Sequence, residues 1–218
     1  MIQIEHLTKQ FGKETVIKDV TVTFHSGMIY GLVGTNGCGK TTLMRCICGF
    51  VKPTSGKILV TKKQVGKDVD FAPNTGIIIE TPGFLPHYSG LRNLLILANI
   101  SHRANKNRAV EVMQMVGLDA SARKPVGNYS LGMRQRLGIA QAIMENPDLL
   151  ILDEPFNGMD REGIREIHAL FQDLKKQGKT ILLASHSAAD IAQACDIVYE
   201  LQNGQLVERP ALSAAQVG

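Results

Sequence analysis

Tryptophan is absent from the 218 residues, and phenylalanine and tyrosine bring the aromatic share to only 5%. Nucleic-acid surfaces are built on dense basic stripes interleaved with aromatics. No such stripe is present, and the net charge is only +4. Lys52, Lys57, Lys62, Lys63 and Lys67 cluster, but across expected strands and turns, as a solvated edge does. Nucleic acid is therefore not expected as a partner. Cysteine is scarce: Cys38, Cys46, Cys48 and Cys195 show none of the paired spacings of zinc or thioredoxin-like sites. Cys46-Ile47-Cys48 falls on an expected buried helix, where cysteine acts as a small apolar residue, and this usage fits a reducing cytosol. No run approaches the roughly 18 uncharged apolar residues of a membrane span, and Met1-Ile2-Gln3-Ile4-Glu5-His6 is too polar for a signal peptide. The chain is expected to be soluble, any link to a membrane coming through a partner. Internal repeats and low-complexity tracts are missing as well. What is there is 44% hydrophobic and 20% charged. Such a chain can build a sizeable core, as one large α/β domain or a domain with an inserted lobe.

Residues 2–8 and 20–24 alternate apolar and polar as half-exposed strands do. Met28 to Val33 is nearly continuous in apolar residues, the pattern of a buried parallel strand. A helix is expected from Lys40 until Gly49 ends it, then strands at Lys57–Val60 and Gly76–Glu80. From about residue 81 to 145 the pattern turns helical, over 91–100, 108–116 and 131–144, and reads as a helical lobe inserted into an α/β core. Met113 and Met115 on it are read as core filling. The core resumes with strand 149–152, helix 161–176, strand 180–184 and a short helix from Ser187. Two last strands flank Asn203-Gly204, a hairpin turn signal. Residues 1–210 are read as one domain and 211–218 as a short tail that frays.

Gly34-Thr35-Asn36-Gly37-Cys38-Gly39-Lys40-Thr41 matches the phosphate-loop pattern G-x-x-x-x-G-K-[ST], with an apolar strand before it and a helix after it, the context that gives the pattern meaning. Glycines let the backbone wrap phosphate, and successive N–H groups at a helix start supply positive potential. Lys40 is placed for the β- and γ-phosphates of ATP, Thr41 for Mg²⁺ and Thr42 for the α-phosphate. Asp153 and Glu154 end a buried strand, where a parallel sheet delivers side chains to the phosphate edge. Asp153 suits Mg²⁺ through a bound water. Glu154 is expected to take the proton of the water that attacks the γ-phosphate. His186, after the next strand, is expected at the same edge, donating to the γ-phosphate.

Between phosphate loop and acidic strand lies Tyr129-Ser130-Leu131-Gly132-Met133-Arg134-Gln135-Arg136. With it, the whole chain resembles the nucleotide-binding subunits of ABC transporters. That resemblance implies an ABC-type P-loop NTPase: a RecA-like mixed sheet, an N-terminal antiparallel β-subdomain and the inserted helical lobe. Ser130 and Gly132 keep the two positions of the family's Leu-Ser-Gly-Gly-Gln signature that touch the γ-phosphate of ATP on the opposite subunit, while Leu131 and Met133 depart from it. Asn157-Gly158-Met159-Asp160 resembles the interface-crossing loop, implying a cross-subunit contact for Asp160. Phe11 takes the position of the aromatic that stacks on adenine. Where the family normally carries a Mg²⁺-binding glutamine, this chain has Glu80, implied as a metal ligand. Glu80-Thr81-Pro82-Gly83-Phe84 with Ser130-Leu131-Gly132-Met133 is similar to the subgroup that exports bacitracin and lantibiotic peptides.

The expected function is thus an ATPase subunit, with ATP and Mg²⁺, paired with an identical copy or a relative. It would drive export through separate transmembrane permease subunits docked near Phe84, Leu85 and Tyr88, from the cytoplasmic face of the membrane. The alternative is a nucleotide-gated clamp on a ribosome, DNA or a scaffold. A P-loop kinase or GTPase is a third reading, and it fails on the Ser-x-Gly segment and on the placement of His186.

Overall fold

The computed structural model describes residues 1–209; the expected tail at 211–218 lies outside them. Among the described residues there are two sheets and six α-helices. The first sheet is antiparallel and four-stranded, in the order β2-β1-β4-β5, from β1 (Ile2–Phe11), β2 (Glu14–Phe24), β4 (Ser55–Val60) and β5 (Lys63–Gln64). The second has six strands in the order β10-β9-β3-β8-β7-β6: β3 (Ile29–Val33), β6 (Thr75–Ile78), β7 (Leu149–Asp153), β8 (Thr180–Ala184), β9 (Ile197–Gln202) and β10 (Gln205–Arg209). All of its pairings are parallel except the β9–β10 hairpin, so the sheet is mixed as expected. Asn203 and Gly204 both take positive φ, 51° and 82°, which is the geometry of a two-residue type I′ turn.

Alternation along the parallel strands splits the core into two. Leu149 and Ile151 of β7 face a cluster with the antiparallel sheet and α1 (Lys40–Cys48), through Leu43, Met44 and Ile47. Leu150 and Leu152 face the opposite side, toward α2 (Gly90–Ser101), α3 (Lys106–Met115), α4 (Leu131–Met144) and α5 (Arg161–Lys176). α6 (Ala188–Ala194) joins that side through Ile191. β3, β7 and β8 are buried on both faces, which is why they read as unbroken apolar runs. Met113 is fully buried and Met115 packs against the same cluster, as core filling requires.

The helices obey simple start signals. Asp160 caps α5, accepting from Gly163 N at 2.8 Å, and Glu162 and Lys175–Lys176 complement the helix dipole at its two ends. Ile167, Leu170, Phe171 and Leu174 form its buried stripe. α2, α3 and α4 lie between β6 and β7 in sequence. α4 rests on β6 with almost no side chain between, since a Cβ added to Gly76 would fall 2.1 Å from the Ala142 carbonyl oxygen. The expected strand at 76–80 stops early: β6 ends at Ile78, its last partner is Leu152, and Glu80 turns into left-handed backbone at φ 63°.

Candidate functional site

β3 delivers the chain into the phosphate loop. Gly34 sits at φ 150°, where a Cβ would fall 2.6 Å from the Leu201 carbonyl oxygen, and Gly39 at φ 111°, where one would fall 2.8 Å from Val16 Cγ1. Only glycine fits either place. Asn36 and Gly37 are exposed at the loop tip, while Cys38 and Thr42 are half-buried. α1 then begins with no side-chain cap and no acidic residue in its first turn. Its first amide donors are thus left without a capping side chain, at the positive end of a helix. The Lys40 ammonium is buried and folded back on the loop, donating to Gly34 O at 2.7 Å and Thr35 O at 3.1 Å.

Thr41 donates to Asp153 Oδ2 at 2.6 Å. Burial pushes the Asp153 carboxyl above its ordinary value, and the charges of Glu154 and Glu80 push the same way against the Thr41 hydrogen bond and Lys40. A dry carboxylate among other carboxylates favours any arrangement that adds positive charge. Pairing of Asp153 with Ala184 sets the ends of β7 and β8 level, so Glu154 meets the residues after β8. Ser185 donates to Glu154 Oε2 at 3.2 Å, and His186 Nδ1 lies 2.9 Å from the same oxygen. The Glu154 backbone is left-handed, φ 49°, with its N–H given to Ala184 O at 2.8 Å.

The Glu80 carboxylate is taken by the guanidinium of Arg45 from α1, the helix that follows the phosphate loop. Ser130, Gly132 and Asp160 form a separate group. Ser130 caps α4, accepting from Met133 N at 3.2 Å. A Cβ on Gly132 would fall 2.5 Å from Gly158 O, so the start of α4 lies directly on the 157–160 loop. Among the described residues, no hydrogen bond or ion pair joins Ser130 or Gly132 to the phosphate loop. Phe11 is half-exposed at the end of β1, with the Lys9 ammonium 4.5 Å from its ring centre.

The ABC transporter family model matches residues 17–157, which contain the phosphate loop, the Ser130 segment and the acidic strand. The chain belongs to the ABC transporter family. Among its relatives, the uncharacterized ABC transporter ATP-binding protein YybJ of Bacillus subtilis is 43% identical over 206 residues, 94% of each chain. The bacitracin transport ATP-binding protein BcrA of Enterococcus faecalis is 41% identical, over 98% of this chain and 70% of its own. The lantibiotic transport ATP-binding protein SrtF of Streptococcus pyogenes is 33% identical, over 95% and 89%. In fold, the dimeric ADP- and Pi-bound cassette MJ0796 superposes with a TM-score of 0.86 at 22% identity, covering 98% of this chain and all of that one.

As an ABC transporter ATPase the chain takes ATP and Mg²⁺, and the residues present fit both. Free amides at an uncapped helix start and a buried ammonium suit phosphate. Thr41 and Asp153 are hard oxygen donors already in contact, the ligand type Mg²⁺ takes. Sequence reasoning missed Ser185, Arg45 and Gln135 around these groups. Gln135 had a signal: it is a polar residue on the otherwise apolar stripe of Gly132, Ile139 and Ala142 on α4.

Proposed function

We propose that two copies of the chain, or one copy and a relative, bind two ATP head to tail. Each site would take the phosphate loop, Asp153, Glu154 and His186 from one chain and Ser130, Gly132 and Asp160 from the other. The observation that carries this reading is the division of the motif residues into two groups that no hydrogen bond or ion pair joins among the described residues. Helix α4 would present its N-terminus, with Ser130, to the γ-phosphate across the dimer, as helix electrostatics favours.

Within a site, Lys40 exchanges its bonds to Gly34 and Thr35 for phosphate oxygens. The remaining loop positions, Gly34, Asn36, Gly37, Cys38, Gly39 and Thr42, surround the phosphates, and Phe11 stacks on adenine. Thr41, Glu80 and, through water, Asp153 would hold Mg²⁺, which would supply positive charge against the phosphates. Glu154 accepts the proton of attacking water while Ser185 and His186 fix its carboxylate.

Closure and reopening would drive export through separate transmembrane permease subunits, with the chain held at the cytoplasmic face of the membrane. No helix among the described residues is long and apolar enough to cross a membrane. Leu85 and Tyr88 are exposed on a loop held by buried Asn93, which accepts from Leu85 N at 2.8 Å and donates to Leu85 O at 3.1 Å. A rigid loop presenting apolar side chains suits permease docking. Likeness to BcrA and SrtF supports an antimicrobial peptide as cargo.

The test is ATP turnover and dimerisation of wild type beside Glu154→Gln in ATP and Mg²⁺. Concentration-dependent hydrolysis in the wild type and a slow, ATP-trapped dimer in the variant are expected. A variant as fast as wild type would remove Glu154 as base, and absence of any ATP-dependent dimer, alone or with permease, would remove the shared sites.

A further inference from the structure

The buried face of α4 carries one amide. Gln135 is 5% exposed, and its Nε2 donates to the backbone carbonyl of Glu154 at 3.2 Å. Its Oε1 is buried and has no partner. A half-satisfied buried amide is poor value for folding, because the orphan oxygen keeps its desolvation cost while one neutral hydrogen bond returns little. An apolar side chain of the same length would serve the core as well or better. The reason for an amide must lie in what its single bond holds.

That bond holds Glu154. A glutamate at φ 49° occupies backbone space that persists only where the surroundings over-determine it. Three hydrogen bonds do so: Ala184 O receives the Glu154 N–H at 2.8 Å, and the Glu154 carbonyl accepts from Asn157 N at 3.3 Å and from Gln135 Nε2 at 3.2 Å. The first belongs to the sheet. The second closes the turn that follows β7, and the third comes from the helix whose first turn carries Ser130 and Gly132 and lies against Gly158. We propose that Gln135 is a positioning residue: its amide fixes the backbone of Glu154 so that the carboxylate meets Ser185, His186 and the attacking water, and it ties that carboxylate to the helix bearing Ser130. The inference rests on the reading of Glu154 as general base.

A positioning role and a packing role make opposite forecasts for Gln135→Met, which keeps the length and removes the donor. The variant is assayed in whichever preparation wild type turns over, the chain alone or with permease. Positioning predicts kcat lowered about tenfold or more with the KM for ATP within about twofold, and thermal stability equal to or above wild type. It also predicts that Gln135→Met added to Glu154→Gln slows residual turnover no further, since the two act on one step. A kcat within about twofold of wild type, a kcat loss matched by a lowered melting midpoint, or additive losses in the double variant would each overturn it. Gln135→Leu is the second variant, and failure of both to fold would also overturn it, because a residue that only positions Glu154 is dispensable for folding. If Glu154→Gln alone hydrolyses at the wild-type rate, it is the base assignment that falls.

Discussion

Arg45 on α1 and Glu80 beyond β6 form an ion pair at the edge of the nucleotide site, where the family usually carries an uncharged glutamine in place of the glutamate. A carboxylate beside three phosphates is a charge problem, and the guanidinium is its local answer. Both side chains are substantially exposed, 37% and 65%, so the pair contributes under about 1 kcal/mol to stability. With Glu80 as a Mg²⁺ ligand, as proposed, the pair's effect would fall on the metal. Glu80→Gln is expected to raise the Mg²⁺ concentration needed for half-maximal hydrolysis severalfold, and Arg45→Ala to lower it by freeing the carboxylate. A Mg²⁺ titration of turnover in the two variants decides the matter; identical curves would count against Glu80 as a ligand.

Asp153→Asn should separate stability from activity. The folded carboxyl titrates above its ordinary value of 3.8, chiefly through burial, so the fold binds the proton better than the unfolded chain does. Stability from this group therefore falls as pH rises from the unfolded value through the raised one, and the cost is present above it. Asparagine keeps an acceptor for Thr41 and removes that cost. The nucleotide-free variant should melt a few degrees higher, ~1 kcal/mol being about 2–4 °C at this size. Its turnover should drop about a hundredfold or more.

His168 on α5 packs edge-on against Phe156, with ring centres 4.8 Å apart and its Nε2 buried without a partner. Burial lowers its proton affinity below the usual 6.5, and Asp190 opposes this only in part. A histidine kept neutral by the fold stabilises it above the unfolded value, and that stability is lost as pH falls from there toward the lowered folded value. Melting midpoints measured downward from pH 6.5 should fall more steeply for wild type than for His168→Phe. Parallel curves would exclude His168 as a contributor.

Thiol reactivity should single out the phosphate loop. Burial lifts Cys46 to about 11 and Cys48 to about 12, and it raises Cys195 as well. Cys38 is half-exposed, with the Lys40 ammonium 4.0 Å from its sulfur. Since the thiolate is the nucleophile, a maleimide at neutral pH should label Cys38 first in the native protein, and ATP should protect it. Mass spectrometry of the labelled peptides checks the order.

Much of this was legible along the chain. Strands buried on both faces announce themselves as apolar runs, and the phosphate loop is a local pattern whose glycines have local causes. Glu154, Asp153 and His186 were expected together because strand ends of one parallel sheet gather at one edge, and the structure places them there. What the residue string hid was the third dimension. Nothing near Glu80 points to Arg45, 35 positions earlier, and the left-handed turn that ends β6 two residues short comes from its being an edge strand. Ser130 and Asp160 were read for contacts across a dimer, yet each also caps its own helix, a role written in their residue types and overshadowed by the motif.

The bare contact between Gly76 and Ala142 makes a hinge pin of the far end of α4. Backbone lies close to backbone there, with Leu150 Cδ2 beside it, so a tilt of the helix about that point would move its Ser130 end most. From Ala142 to Ser130 is about 18 Å of helix, and a tilt of about 10° would sweep Ser130 by about 3 Å. Gln135, little more than halfway out on the same arm, would travel just under about 2 Å, enough to lengthen a bond of 3.2 Å beyond reach. The anchor on Glu154 is in this way a gauge of lever angle: the Gln135 bond to its backbone lasts only while the arm stands where it does in this structure.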